Sequence, residues 1–132
     1  MSVFIDTSAF LAFLLSNDIN FKNASNKWDN LLDNEDDLVT SNYVIVETCS
    51  LLQKRTDMKI VSVFLDNVIP SLMIYWINST THLLSTEALS QGTKSGPSLV
   101  DHSSFILMRK SSVKKVFTYD KHFKSQGFEI VS

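Results

Sequence analysis

The chain is poor in cysteine, proline and glycine, with one, two and three of them in 132 residues. A lone Cys49 excludes an internal disulfide framework and a zinc site built from cysteines. It fits a reducing, cytoplasmic setting, which is the expected localisation. So few prolines and glycines leave room for few loops, and favour helices and strands joined by short connections. No apolar run approaches the roughly 20 residues that a membrane span needs, so no membrane association is expected. The N-terminus has no basic segment, and Asp6 interrupts its apolar run, unlike a signal peptide. Charge of neither sign is in large excess: 12 Lys and Arg stand against 14 Asp and Glu, a net −2.

What is present is apolar substance. Hydrophobic residues make up 44% of the chain, and the mean hydropathy is +0.05. A core of useful size can form, and residues 1–132 are expected to make one domain. The small net charge hides an asymmetry. Residues 1–50 sum to −6, with two Lys against eight acids; residues 51–132 sum to +4, with ten Lys or Arg against six acids. Arg109, Lys110, Lys114, Lys115, Lys121 and Lys124 crowd the last quarter. One reading is a solvated helix face. The other is a phosphate-contacting patch beside an acidic pocket.

The opening Val3-Phe4-Ile5 is a continuous apolar run, as expected of a strand buried on both faces of a parallel sheet. Asp6 ends it, and a helix follows at Ala9–Leu15. Phe21, Ala24, Trp28, Leu31 and Leu32 recur at helical spacing and mark a second, amphipathic helix with Trp28 in the core. Leu38–Thr40 reads as a second strand, and Ser41 as the cap of a helix from Tyr43 to Arg55. Val44, Glu47, Leu51 and Leu52 share one face of that helix, so Glu47 sits among apolar positions. A helix over Met58–Val68 ends at Pro70. A strand over Leu72–Ile77 and a helix over Thr81–Gln91 follow, then the loop Gly92–Pro97. Ser98–Lys110 forms the last long helix, Lys115–Tyr119 a fourth strand, Lys121–Gln126 a turn of helix, and Phe128–Val131 a fifth, edge strand. Strands alternating with helices predict an α/β fold: a parallel sheet of four to five strands with helices on both faces.

Four acids stand out. Asp6 and Asp120 both follow predicted strands, at the sheet edge where open α/β folds bind ligands. Asp101 lies in the first turn of a buried helix, and Glu47 on an apolar face. Each has a plain structural explanation. Asp6 and Asp120 suit helix caps, Ser98-Leu-Val-Asp101 fits a capping box, and Glu47 would be tolerated if half-exposed. Convergence of all four would be costly, because two carboxylates ~4 Å apart repel by about 4 kcal/mol at an effective dielectric near 20. Such a cluster takes up protons or binds a cation. A hard divalent ion, Mg²⁺ or Mn²⁺, suits oxygen ligands.

Phe4-Ile-Asp6-Thr-Ser8, Glu47 on the helix after strand two, Ser98-Leu-Val-Asp101 and Phe117-Thr-Tyr-Asp120-Lys-His-Phe123 together resemble the acidic motifs of PIN-domain ribonucleases. Their order and spacing are similar to the toxin branch, the VapC-like members of VapBC toxin–antitoxin pairs. The resemblance spans the chain. It implies a metal-dependent endoribonuclease in which Asp6, Glu47, Asp101 and Asp120 form the catalytic pocket. Asp6 and Asp101 would be the main ligands of Mg²⁺ or Mn²⁺, with Glu47 and Asp120 completing the site. Ser8 and Thr118 would orient carboxylates or water. Arg109, Lys110, Lys121 and Lys124 would hold RNA phosphates, giving affinity and not sequence readout. A VapB-like antitoxin and a homodimer are the implied protein partners. The antitoxin's C-terminal segment is expected across the acidic pocket, and apolar positions of Val44–Leu52 and Met58–Val68 are expected to offer a groove and dimer surface or to join the core. His82, His102 and His122 are expected to be structural or surface residues, and Cys49 a small core residue.

Other classes fit less well. A response-regulator receiver domain also has a doubly wound sheet and a Mg²⁺-binding acid pocket. It wants paired acids after strand one and an acceptor Asp after strand three, where this chain has a lone Asp6 and Asn78. A haloacid-dehalogenase phosphatase wants Asp-x-Asp after its first strand, and here Ser8 takes the second place. A non-catalytic PIN-like module that binds RNA or protein is the remaining alternative.

Overall fold

Val3, Phe4 and Ile5 are all buried. Successive strand residues point to opposite faces, so the strand they form, β1 (Ser2–Ile5), is covered on both sides. The computed structural model describes residues 1–131. Besides β1 it contains β2 (Asp37–Ser41), β3 (Met73–Tyr75), β4 (Lys115–Phe117) and β5 (Glu129–Ile130). All pairings are parallel, in the order β3-β2-β1-β4-β5. The central position of β1 explains its wholly apolar run, and β5 is an edge strand as expected. The order is not the flavodoxin-like one of receiver domains, which removes that alternative.

Among the described residues seven α-helices connect the strands: α1 (Thr7–Leu14), α2 (Phe21–Asp33), α3 (Asn42–Arg55), α4 (Met58–Val63), α5 (Ser79–Ser90), α6 (Leu99–Lys110) and α7 (Lys121–Ser125). Their starts follow from local chemistry. Ser41, Asp57, Asn78, Ser98 and Asp120 each accept a hydrogen bond from a backbone N–H of the first turn, satisfying donors that have no partner inside the helix. Trp28 stacks on Phe13, with ring centroids 4.6 Å apart, and so belongs to the core as expected.

Three segments differ from expectation. The helix after Asp57 does not run regularly to Val68: α4 passes at Phe64 into a π-helical turn to Val68, then into a 3₁₀ turn, Ile69–Ser71, around Pro70. Phe64 and Val68, four residues apart on one face, are buried in this turn. The third strand keeps only Met73–Tyr75 of the expected six residues, because only these pair with β2. In α5 the buried positions are Thr81 and Ser85, while Leu83, Leu84 and Leu89 are exposed. The Ser85 hydroxyl donates to the Thr81 carbonyl, which lets two polar residues face α6 without an unpaired group. Among the described residues no helix is long and apolar enough to cross a membrane.

Candidate active site

The chain leaves β1 for β2 on one side, and β4 lies on the other. A crevice at such a reversal of strand order is the usual ligand site of an open α/β sheet. Asp6 follows β1 there, and Thr118, Tyr119 and Asp120 follow β4. Glu47 comes from the second turn of α3 and Asp101 from the first turn of α6. Asp6, Glu47, Asp101 and Asp120 line one open pocket of about 330 Å³, together with Thr7, Ser8 and Ser98. All four acids picked out in the sequence therefore converge.

The geometry decides between cap and site for each. Asp6 occupies the N-cap position of α1, yet its side chain makes no capping bond. Its Oδ2 instead accepts from the Ser8 hydroxyl at 2.8 Å and the Thr118 hydroxyl at 2.9 Å. Ser8 Oγ also accepts from the Tyr119 N–H, and Thr118 Oγ1 from the Asp120 N–H. Ser8 and Thr118 thus tie the ends of β1 and β4 together through the Asp6 carboxylate. Asp101 does form the capping box: Ser98 Oγ accepts from the Asp101 N–H at 3.1 Å, and Asp101 Oδ2 from the Ser98 N–H at 3.0 Å. Asp120 caps α7 through the His122 N–H. For these two, capping and pocket lining coexist. One carboxylate oxygen secures the helix, which fixes the direction of the other.

Electrostatics follows from the crowding. Asp6 is buried, and desolvation raises its pKa from 3.8 to about 7 against the opposing hydroxyl bonds of Ser8 and Thr118; the Asp101 charge adds to the rise. Burial likewise raises Glu47, partly offset by the Thr7 hydroxyl, with Asp101 and Asp120 pushing further upward. Asp101 is raised by burial and by Asp120, while the Ser98 bonds and His122 act the other way.

His122, expected to be a bystander, is part of the site. Its Nδ1 lies 2.8 Å from Asp120 Oδ1, is buried, and has no hydrogen-bond partner of proper direction. Asp101, Asp120 and His122 each offer a ligand atom, and these atoms all lie within 4.8 Å of one another. A cation held by these three would relieve both the unpaired nitrogen and the crowded carboxylates. The sequence signal was the Asp120-Lys-His122 spacing at a helix start. The other histidines stay apart from this cluster. His102 packs edge-on against Phe105, and His82 is exposed and bonded to the Tyr43 hydroxyl. Cys49 is half-buried against the core.

The basic residues separate into two pairs. Lys121 and Lys124 flank a shallow pocket with Thr118 and Asp120, beside the acids. Arg109 and Lys110 lie at the opposite end of α6, about 12 Å along its axis from Asp101 at 1.5 Å per residue. Arg109 donates to the Gln126 carbonyl and to Gln126 Oε1 and lies over Phe128. Lys110 donates to Thr81 Oγ1. The structure does not bring this pair to the acid pocket, because a helix whose first turn faces the pocket carries its last turn to the other edge of the sheet.

The family model described as PIN domain matches residues 3–129. The chain belongs to the PIN-domain family. Two solved structures share the fold of this PIN domain. VapC20 of Mycobacterium tuberculosis, described as a sarcin–ricin-loop-cleaving toxin, is 24% identical with a TM-score of 0.84, covering 96% of this chain and 95% of that one. FitAcB from Neisseria gonorrhoeae is 14% identical with a TM-score of 0.71, covering 100% of this chain and 97% of that one. At these identities the likeness speaks for the fold. Comparison with curated proteins gives no match.

Proposed function

We propose that this PIN domain is a divalent-cation-dependent endoribonuclease, acting as the toxin of a toxin–antitoxin pair. The observation that carries the reading is the convergence of Asp6, Glu47, Asp101 and Asp120 on one pocket at the switch point of the sheet. The likeness to VapC20, a sarcin–ricin-loop-cleaving toxin, supports RNA as the substrate.

Asp6 and Asp101 hold the cation, Mg²⁺ or Mn²⁺, with Asp120 and Glu47 completing the acidic wall. Ser8 and Thr118 keep the Asp6 carboxylate in one orientation, so no rearrangement is needed at the moment of reaction. His122 Nδ1, close to Asp101 and Asp120, offers the cation a further ligand atom. When bound, a divalent cation makes water more acidic and offsets charge building on the attacked phosphate. Lys121 and Lys124, at the rim, hold neighbouring phosphates of the RNA. Raised carboxyl pKa values mean that protons compete with the cation, so affinity for it increases with pH.

The restraint on such an enzyme is a VapB-like antitoxin whose C-terminal segment lies across the pocket and sets an Arg against Asp6, Asp101 or Asp120. The toxin itself is a homodimer in this reading, and it works in the cytoplasm. The test is cleavage of total cellular RNA with Mg²⁺ or Mn²⁺ and with EDTA, beside an Asp6→Asn, Asp101→Asn double variant. Discrete metal-dependent fragments, absent from the variant, are expected. Equal behaviour of the two proteins would leave a non-catalytic binding module.

A further inference from the structure

A second cleft adjoins the acid pocket and differs from it in chemistry. It has a volume of about 360 Å³ and is lined by Tyr43, Val46, Glu47, His82, Leu99 and Val100 among others. That volume lies within the range of small-molecule sites. Glu47 lines both clefts. Leu99 and Val100 precede Asp101 in the first turn of α6, so they lie about 2–3 Å along the helix axis from it. The two spaces are therefore neighbours within the reach of one nucleotide.

The lining contains no Lys or Arg, which makes it a poor place for a phosphate. It is apolar with an aromatic wall. Tyr43 and His82 meet edge to face, with ring centroids 5.9 Å apart and planes at 75°. The Tyr43 hydroxyl engages His82 Nδ1, which fixes both rings and leaves Nε2 as the imidazole nitrogen that can meet a ligand. Asn42 at the start of α3 accepts from the Ile77 N–H, which holds the Trp76–Ile77 segment close to the same place. Val46, in the lining, is 66% exposed.

We propose that this cleft takes the unpaired base of the nucleotide adjoining the scissile phosphate, packed against the Tyr43 and His82 rings. The inference rests on the ribonuclease reading and adds a substrate feature to it: the RNA must be single-stranded at that position, because only an unstacked base can enter. Continuity with the acid pocket favours a base over a protein side chain. Glu47 lines both clefts, so a backbone passing that wall has the apolar cleft within reach of its base. Stacking on aromatic faces tolerates several bases, so the cleft selects looped structure more than sequence.

The test uses the uncleaving Asp6→Asn, Asp101→Asn protein and a short single-stranded RNA spanning a cleavage site mapped with the active enzyme. A matched RNA lacks the base on one or the other side of the cut bond. Val46→Glu and His82→Ala alter exposed side chains, so folding is expected to survive, and thermal melting checks it. The parent should bind the intact RNA on the order of tenfold more tightly than one of the two abasic RNAs. Both variants should lose that difference while binding the abasic RNA as the parent does. Equal binding of intact and abasic RNA by the parent overturns the base cleft and leaves the nuclease reading standing. Failure of the active enzyme to cut RNA overturns both. Sedimentation of the same variants supplies a further arm: loss of a dimer by Val46→Glu with unchanged RNA discrimination assigns the cleft to a second copy of the chain.

Discussion

Thr118, two positions before Asp120, donates a 2.9 Å hydrogen bond to Asp6 Oδ2 across 112 positions of sequence. Its oxygen also accepts from the Asp120 N–H at 3.0 Å. One hydroxyl thus joins two of the four acids. Thr118→Val keeps the shape, removes the donor and leaves a part-buried N–H without a partner. Stability should fall by about 1–3 kcal/mol, read from denaturant unfolding. RNA cleavage should fall in kcat more than in KM, since the carboxylate is misdirected while the RNA surface is intact. Unchanged kcat would show that Ser8 alone orients Asp6.

Asp6 gives a pH signature. Its folded pKa, about 7, is above its ordinary 3.8, so between these values the folded state binds the proton more tightly. The resulting stabilisation is present below about pH 4 and is lost as pH rises through 7, at most about 1.4 kcal/mol per pH unit. In EDTA, Asp6→Asn should therefore melt higher than the parent at pH 8, and the gap should close at pH 4. A gap independent of pH would mean that Asp6 is not the group responsible.

Cation binding should stabilise the fold by mass action. Mn²⁺ or Mg²⁺ is expected to raise the melting temperature, and EDTA to reverse the rise. Asp101→Asn should abolish it, and His122→Ala should reduce it if Nδ1 contributes as the geometry suggests. A full response in His122→Ala would restrict the imidazole to holding Asp120.

The basic residues should behave differently in RNA binding. Lys121→Ala and Lys124→Ala should each lower the dependence of log affinity on log salt by about one ion or less. Arg109→Ala, at the far end of α6, should leave that slope alone. Its effect should instead be a loss of about 0.5–1.5 kcal/mol of stability, from its bonds to Gln126. A changed slope in Arg109→Ala would require RNA to extend along the whole of α6.

Gly127 is held at φ +90° with open space where a Cβ would stand. It follows α7, where its N–H donates to Lys124 and that of Phe128 to Phe123, a Schellman close. Gly127→Ala should cost about 1–2 kcal/mol through backbone conformation alone and leave cleavage intact. A null effect on melting would mean that the turn relaxes.

By itself the sequence determined whatever depends on near neighbours. Apolar runs and helical spacing placed every strand and most helices. Ser41, the Ser98–Asp101 box and Asp120 announced helix starts because a cap bonds groups only two or three residues apart. The acids after strands one and four were legible for the same reason, and motif resemblance linked them to Glu47 and Asp101. Tertiary structure decided what depends on strand order and packing. It set β4 beside β1, which alone brings Thr118 to Asp6. It turned His122 toward Asp101 and Asp120, and carried Arg109 and Lys110 to the opposite edge. It buried Thr81 and Ser85 while leaving Leu83 and Leu84 outside, against their hydropathy. Local pattern specifies which residues share a face, but which faces meet is settled by long-range burial, and no near-neighbour interaction encodes that.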